Sequence, residues 1–289
     1  MRILPLPNLD NSEIFLECVK GVSNAALRQR YMDAEDLIKI WAIKYSTNAQ
    51  TAKLFKFAPH TGKRNEIAVQ TLTKLECYKL YEQYFRGSTK SARRHYDSLL
   101  LSIPTQLCPY CGFGHIYTID HYLPKAKYPQ FSVTIPNLIP ACRDCNEGCK
   151  NALYSVTEGE QPLHPYYDGG QFIKEQWLFA KVVETSPATV QFYVSCPHHW
   201  SDSAKTRTRH HFKSFSLKSR FAVEAGKELS GLSPSLARYH ANDTPKKIRD
   251  RLHETLDVEI ENHMNSWKTA LYDALIKSNW YCNGGFKNK

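Results

Sequence analysis

The chain has 289 residues, 42% hydrophobic and 23% charged, a balance that supports a sizeable buried core and excludes wholesale disorder. Thirty-eight Lys and Arg against 28 Asp and Glu give a formal net charge of +10, which favours an acidic partner such as a nucleic-acid backbone without requiring one. No run of roughly 18 apolar residues occurs, so no membrane span is expected, and the opening MRILPLPNLDNSEIF lacks the apolar stretch of a secretory signal.

The nine cysteines are odd in number and come with no export signal. They argue against a disulfide framework and for a reducing, cytoplasmic compartment, where CxxC pairs more often hold metal.

The first hundred residues carry helical periodicity. Leu37, Ile40, Trp41 and Tyr45 share one face, and Leu72, Leu75 and Tyr78, then Leu80, Tyr81, Tyr84 and Phe85, share others. KFAPHTGKRNE, residues 56–66, reads as a loop, and a further helix covers Ser91 to Leu101, ending before Pro104. Residues 104–157 change character, with cysteines, prolines, glycines and short apolar runs. WLFAKVVE and TVQFYVS, separated by TSPA, predict a hairpin between Trp177 and Val194. The helical pattern returns from Thr206, with Phe215, Leu217, Phe221 and Val223 in one segment. Ile248, Leu252, Leu256, Ile260, Trp267, Leu271 and Leu275 trace a single helix of about eight turns, with Thr244 as N-cap and Pro245 at its first position.

The chemistry concentrates in CPYCGFGHIYTIDHYLPKAKYPQFSVTIPNLIPACRDCNEGCKN. Cys108 and Cys111 form one CxxC, Cys142 and Cys145 another, and two such knuckles present four thiolates to one tetrahedral zinc. Four thiolate ligands make that zinc closed and structural, and its binding helps fold a segment poor in apolar residues. The long insert between the pairs carries Asp120 and His121 after the short β-like run Ile116 to Ile119. Asn137 follows in PNLIPAC, and Asn146 comes directly after the last clamp cysteine. A carboxylate and an amide oxygen suit Mg(II) or Mn(II), and an imidazole deprotonates water near neutral pH.

CPYC, IDHYLP, NLIPAC and CRDCN together resemble the zinc-clamped HNH (ββα-metal) endonucleases over residues 108–151. The resemblance implies a β-hairpin followed by a helix, gripping one divalent ion against the scissile phosphate. It implies that His121 is the general base, that Asn137 braces the loop holding that base, and that Asp120 and Asn146 are the metal ligands. HNH sites usually cut DNA, although the same geometry admits RNA such as tRNA. A narrower likeness joins DHYLPKAKYPQFSV, NLIPACRDCN and HPYYD (residues 164–168) to the nuclease subunits of Septu-type antiphage systems, relatives of which accompany some retrons. It implies an ABC- or SMC-like ATPase partner and, for some relatives, a retron RNA–DNA element.

One departure stands out. The family usually ends its motif CNxxK, whereas here Lys150 comes one place late and Cys149 sits where the lysine is expected. Cys149 competes with Cys142 for the zinc; the CxxC pair is preferred because its spacing mirrors Cys108 and Cys111. Lys125, Lys127 and Lys150, with Arg207, Arg209 and Lys213 farther along, are candidate nucleic-acid contacts. The last three belong to a basic stretch, Lys205 to Arg220, with Phe212, Phe215 and Phe221 among its cations; a solvated helix face is its rival reading. Arg86, Lys90, Arg93 and Arg94 form a smaller basic patch. His164 is either associated with the site or packed against Tyr166. Cys196, His198 and His199 offer no fourth ligand at a recognisable spacing and read as a turn.

The expected architecture is α+β: a helical region over 1–103, the nuclease core over 104–157, and a hairpin with a helical interface region over 158–289. The expected function is a metal-dependent endonuclease acting with an ATPase partner in antiphage defence. The rivals are a stand-alone restriction-type HNH enzyme and a non-catalytic zinc-stabilised adaptor that binds nucleic acid.

Overall fold

A computed structural model describes residues 1–150 and 154–287; Asn151, the last residue of the HNH-like stretch, lies outside them. The architecture is α+β, and among the described residues no helix is long and apolar enough to cross a membrane. The chain forms two compact units, Ile3–Asp168 and Gly169–Lys289 with Met1–Arg2. The boundaries expected at 103/104 and 157/158 both fall inside the first of these units.

In the first unit, helices α1 (Asn11–Lys20), α2 (Ala25–Asp33) and α3 (Glu35–Gln50) open the chain. The Asp10 carboxylate caps α1 by accepting the Ser12 and Glu13 amides at 2.8 Å each. Helix α3 buries Ile38, Ala42, Tyr45 and Ala49. Its buried stripe thus starts one residue later than predicted and leaves Ile40 47% exposed. A short hairpin, β1 (Ile67–Val69) and β2 (Leu72–Thr73), leads into α4 (Lys74–Lys79), which begins with a Thr73–Glu76 capping box. That helix runs on as a π-helical turn, Leu80–Phe85, closed by the Arg86 amide on the Tyr81 carbonyl, five residues back, at 2.8 Å. Helix α5 (Arg93–Leu101) falls where the sequence places it.

Strand β3 (Thr118–His121) pairs antiparallel with β4 (Leu138–Ala141), setting Thr118 opposite Ala141 and His121 opposite Leu138. One core joins the opening helices to this hairpin: Ile14, Phe15 and Val19 of α1 and Leu80, Tyr81 and Phe85 of the π turn cluster with Ile119 and Leu138. Burial of that shared apolar face is why the helical region and the hairpin form one unit.

In the second unit, the short helix α6 (Gln171–Lys174) precedes the predicted hairpin, β5 (Leu178–Val183) and β6 (Thr189–Val194), in register from Leu178↔Val194 to Val183↔Thr189. Helix α7 (Asp202–Ser214) starts four residues before Thr206 because Ser201 caps it through the Ala204 amide. Helix α8 (Leu217–Tyr239) buries Leu217 and Phe221 but leaves Val223 59% exposed. Thr244 and Pro245 begin α9 as expected.

The single eight-turn helix is not formed. Helix α9 (Pro245–His263) ends before α10 (Trp267–Lys277), and α11 (Asn279–Cys282) follows. Asn265 lies in the break: its carbonyl oxygen accepts the Trp177 and Leu178 amides at 2.8 and 3.1 Å, and its amide donates to the Phe172 and Glu175 carbonyls at 3.2 and 2.8 Å. Ser266 then caps α10 through the Thr269 amide at 2.9 Å. Four bonds to one buried side chain outweigh an uninterrupted helical stripe.

Candidate active site

The first CxxC is a tight knuckle. The Gly112 amide donates to the Cys108 carbonyl and the Cys108 amide to the Gly114 carbonyl, each at 2.7 Å, with Gly112 at φ +80°. A Cβ on Gly114 would lie 2.8 Å from the Cys142 sulfur, so a glycine lets the second knuckle close on the first. The four sulfurs of Cys108, Cys111, Cys142 and Cys145 lie within 4.8 Å of one another, and Cys111 and Cys142 are 3.9 Å apart. Zn–S bonds of about 2.3 Å in a tetrahedron place sulfurs about 3.8 Å apart. The set fits zinc, with all four thiols buried and no vertex left for a reactant. Cys149 is not part of it.

The hairpin between the knuckles carries Asp120 and His121, which line a cleft of about 290 Å³ with Thr118 and Asn146. His121 is buried, and its Nε2 donates to the Ser132 carbonyl at 2.9 Å. A carbonyl only accepts, so that bond fixes the tautomer and leaves Nδ1 as the basic nitrogen. Burial, reinforced by the charge of Lys125, pushes the imidazole pKa well below its ordinary value and keeps it neutral. The ring of Tyr81 packs edge-on against it, centroids 4.4 Å apart.

Asn137 is fully buried, directly before β4. Its Oδ1 accepts the Leu123 amide at 2.7 Å, and its Nδ2 donates to the Leu123 and Phe131 carbonyls at 3.1 Å each. The loop that supplies Ser132 to His121 is thus tied across its base by one side chain.

Asp120 is buried against two partners. The Tyr110 hydroxyl donates to Oδ2 at 2.9 Å, and the Lys150 ammonium lies 2.8 Å from Oδ2 and 3.1 Å from Oδ1. Sequence reasoning missed Tyr110; its only signal was an aromatic inside the CPYC knuckle. Asn146 is partly exposed and its Nδ2 donates to Thr118 Oγ1 at 3.0 Å, which turns its oxygen to other use. A carboxylate and an amide oxygen on one cleft form a hard donor set that fits Mg(II) or Mn(II).

The late lysine is explained by the backbone. Asp144–Lys150 is a π-helical turn, whose wider loop takes up one extra residue and still brings Lys150 to Asp120. Lys150 therefore cannot serve as the expected nucleic-acid contact: it is 5% exposed, and its ammonium is spent on Asp120 and the His121 carbonyl. Arg207 fails as a contact for a similar reason, being 4% exposed with its guanidinium over the Phe172 ring. Arg209 and Lys213 are exposed on α7. Lys125 lines the cleft, whereas Lys127 lies over the Tyr154 ring.

His164 packs. It is buried, stacks on Tyr122 at 4.2 Å, bonds the Tyr45 hydroxyl at 3.1 Å through Nε2 and accepts the Tyr166 amide through Nδ1. Cys196, His198 and His199 lie in the turn after β6, with His199 on Glu175 at 2.8 Å, and among the described residues they form no metal cluster. Of the smaller basic patch, Lys90 bonds the Gly21 carbonyl, Arg93 pairs with Asp97 and Arg94 with Glu17; Arg86 lines the cleft.

A hairpin and helical turn held between two cysteine knuckles, with an Asp-His pair and an asparagine on one cleft, define an HNH endonuclease. The family model for HNH endonuclease matches residues 108–151, so the chain is a hydrolase of phosphodiester bonds. The chain belongs to the family of protein ea31 of Escherichia phage lambda: 34% identity over 296 residues covers 98% of this chain and 100% of that protein. No solved structure matches.

Proposed function

We propose that this chain cuts DNA by metal-dependent hydrolysis with His121 as general base, Asp120 and Asn146 as metal ligands and Asn137 as the brace. The observation that carries this reading is the His121–Ser132 bond, which leaves Nδ1 as the unprotonated nitrogen of a residue that lines one cleft with Asp120 and Asn146. His121 takes a proton from water at Nδ1, the water oxygen attacks phosphorus in line, and the 3′ oxygen leaves. A divalent cation, when bound, supplies positive charge to the phosphoryl and leaving oxygens. Asn137 keeps the base at its angle, and Tyr110 and Lys150 hold the carboxylate in place.

His121→Ala tests this. Purified protein is incubated with plasmid DNA and with a tRNA pool, with and without EDTA. Cleavage should fall by about 10²- to 10⁴-fold with zinc content and fold unchanged, and EDTA should stop the wild type. Unchanged cleavage by the variant would remove His121 from the role, and cleavage of tRNA alone would reverse the substrate preference. A non-catalytic adaptor would cut neither, and it has no use for the Asp120, His121 and Asn146 set.

A second reading sets this nuclease in an antiphage system with an ABC- or SMC-like ATPase partner, as against a stand-alone restriction-type enzyme. It rests on the likeness of DHYLPKAKYPQFSV, NLIPACRDCN and HPYYD to such subunits, three segments that pack on one another here. His164 stacks on Tyr122, the Tyr166 hydroxyl donates to the Leu138 carbonyl at 3.0 Å, and the Asp168 carboxylate accepts the His164 amide. Expression with the genomic neighbours followed by mass spectrometry decides it: co-purification of an ATPase supports the partnered reading, and site-preferring cleavage by the chain alone favours the rival.

A further inference from the structure

Tyr81 of the π turn Leu80–Phe85 and Arg86 directly after it also line the cleft, and they adjoin an ion triad outside the Asp120–His121–Asn146 set. Glu82 receives two cations: Arg86 at 3.0 Å, four residues on along the same turn, and Lys125 at 3.1 Å, from the loop after β3. Arg86 and Lys125 both line the cleft with Asp120 and His121. The Lys125 ammonium sits 5.0 Å from the Tyr81 ring centroid and 5.6 Å from that of Tyr78, so aromatic faces position it as well as the carboxylate does. Two cations share one carboxylate, which leaves the triad a formal +1, while the Asp120 charge is already met by Lys150 and the Glu147 carboxylate, also on the cleft, faces Arg143 at 3.9 Å. The side chains of Arg86, Glu82 and Lys125 are 54%, 32% and 24% exposed, so the triad is open to a ligand.

We infer that Arg86 and Lys125 form a phosphate clamp for the strand entering the HNH cleft, with Glu82 as the internal counter-anion that substrate phosphate displaces. This rests on the nuclease reading for the identity of the ligand, adds Arg86 and Glu82 from outside the HNH segment, and gives Lys125 a defined place beside them. Glu82 holds both cations in position before substrate arrives and competes with it. One backbone phosphate thereby replaces one carboxylate on both cations at once.

The test is binding without cleavage. Fluorescence anisotropy with a labelled 20-base-pair DNA duplex and a labelled RNA hairpin, in EDTA at about 0.1 M salt, compares wild type with Arg86→Ala, Lys125→Ala and Glu82→Gln. Loss of either cation should weaken binding roughly 8-fold and lower the salt slope by about one unit. Glu82→Gln should tighten binding several-fold, a direction that mere loss of a structural ion pair does not produce, and Arg86→Lys should restore part of the affinity. Wild-type affinity in both alanine variants, or weaker binding by Glu82→Gln, overturns the clamp and leaves the nuclease reading intact. A wild type that binds neither probe and cuts neither substrate overturns both.

Discussion

The Lys150 ammonium and the Asp120 carboxylate meet at 2.8 Å with side chains 6% and 3% exposed. A buried pair of this kind is costly to break from one side only, because the survivor is left as an unpaired charge. Lys150→Met should destabilise the first unit by about 3 kcal/mol, and the double variant Asp120→Asn, Lys150→Met by much less than the two single losses together. Denaturant unfolding of the four proteins measures the coupling; strict additivity would show the pair to be energetically idle.

Metal analysis separates the cysteines. The wild type should carry one zinc per chain, Cys142→Ser should lose it and unfold between the knuckles, and Cys149→Ser should keep it. Elemental analysis of the gel-filtered proteins reads this directly. Zinc loss on changing Cys149 would mean that the ligand set differs from the four sulfurs found together.

Asn137 makes three side-chain hydrogen bonds with no access to solvent. Asn137→Asp can still accept from Leu123 but cannot donate to either carbonyl. It should cost about 2–4 kcal/mol and depress the turnover number more than substrate affinity, since the loop supplying Ser132 to His121 loosens. Steady-state kinetics and a thermal melt of the variant check both; an unshifted melt would sink the bracing role.

His263, at the end of α9, is a buried histidine whose pKa burial drives down to about 3, with Arg2 adding to the effect. The unfolded side chain titrates near 6.5, so below that pH the unfolded chain takes up a proton that the folded chain refuses. Stability is therefore full above about pH 6.5 and declines as pH falls toward 3, by about 2 kcal/mol at pH 5. Its Nε2 has no hydrogen-bond partner and its one bond is to the Met1 backbone, so His263→Phe removes the titration together with that single bond. Urea unfolding at pH 7.5 and 5 should show a smaller pH difference in the variant, and equal differences would exclude His263 as the source.

The site was legible where its parts are close in sequence or bound to a fixed order. The two CxxC pairs, the adjacent Asp120 and His121, and the asparagines at 137 and 146 follow one another in the family's order within residues 108–146, and the hairpin and helical turn bring them together. What could not be read depends on distant partners. Nothing local distinguishes Lys150 as a buried counter-ion from Lys150 as a surface cation, and Arg207 looks like its exposed neighbours until Phe172 is found beneath it. The helix over 245–277 was misread because its apolar stripe runs straight through the break. Asn265 interrupts it by bonding to residues some 90 positions earlier, which no periodicity records.

The π-helical turn at 144–150 bears on how such enzymes tolerate change. A wide turn absorbs an inserted residue within a single loop of backbone, so Lys150 stays on Asp120 although the count to it has changed. Length variation can thus accumulate inside a catalytic motif without moving its side chains. Spacing rules written as fixed intervals will pass over such chains, whereas patterns that allow one extra residue between the clamp asparagine and the lysine will recover them.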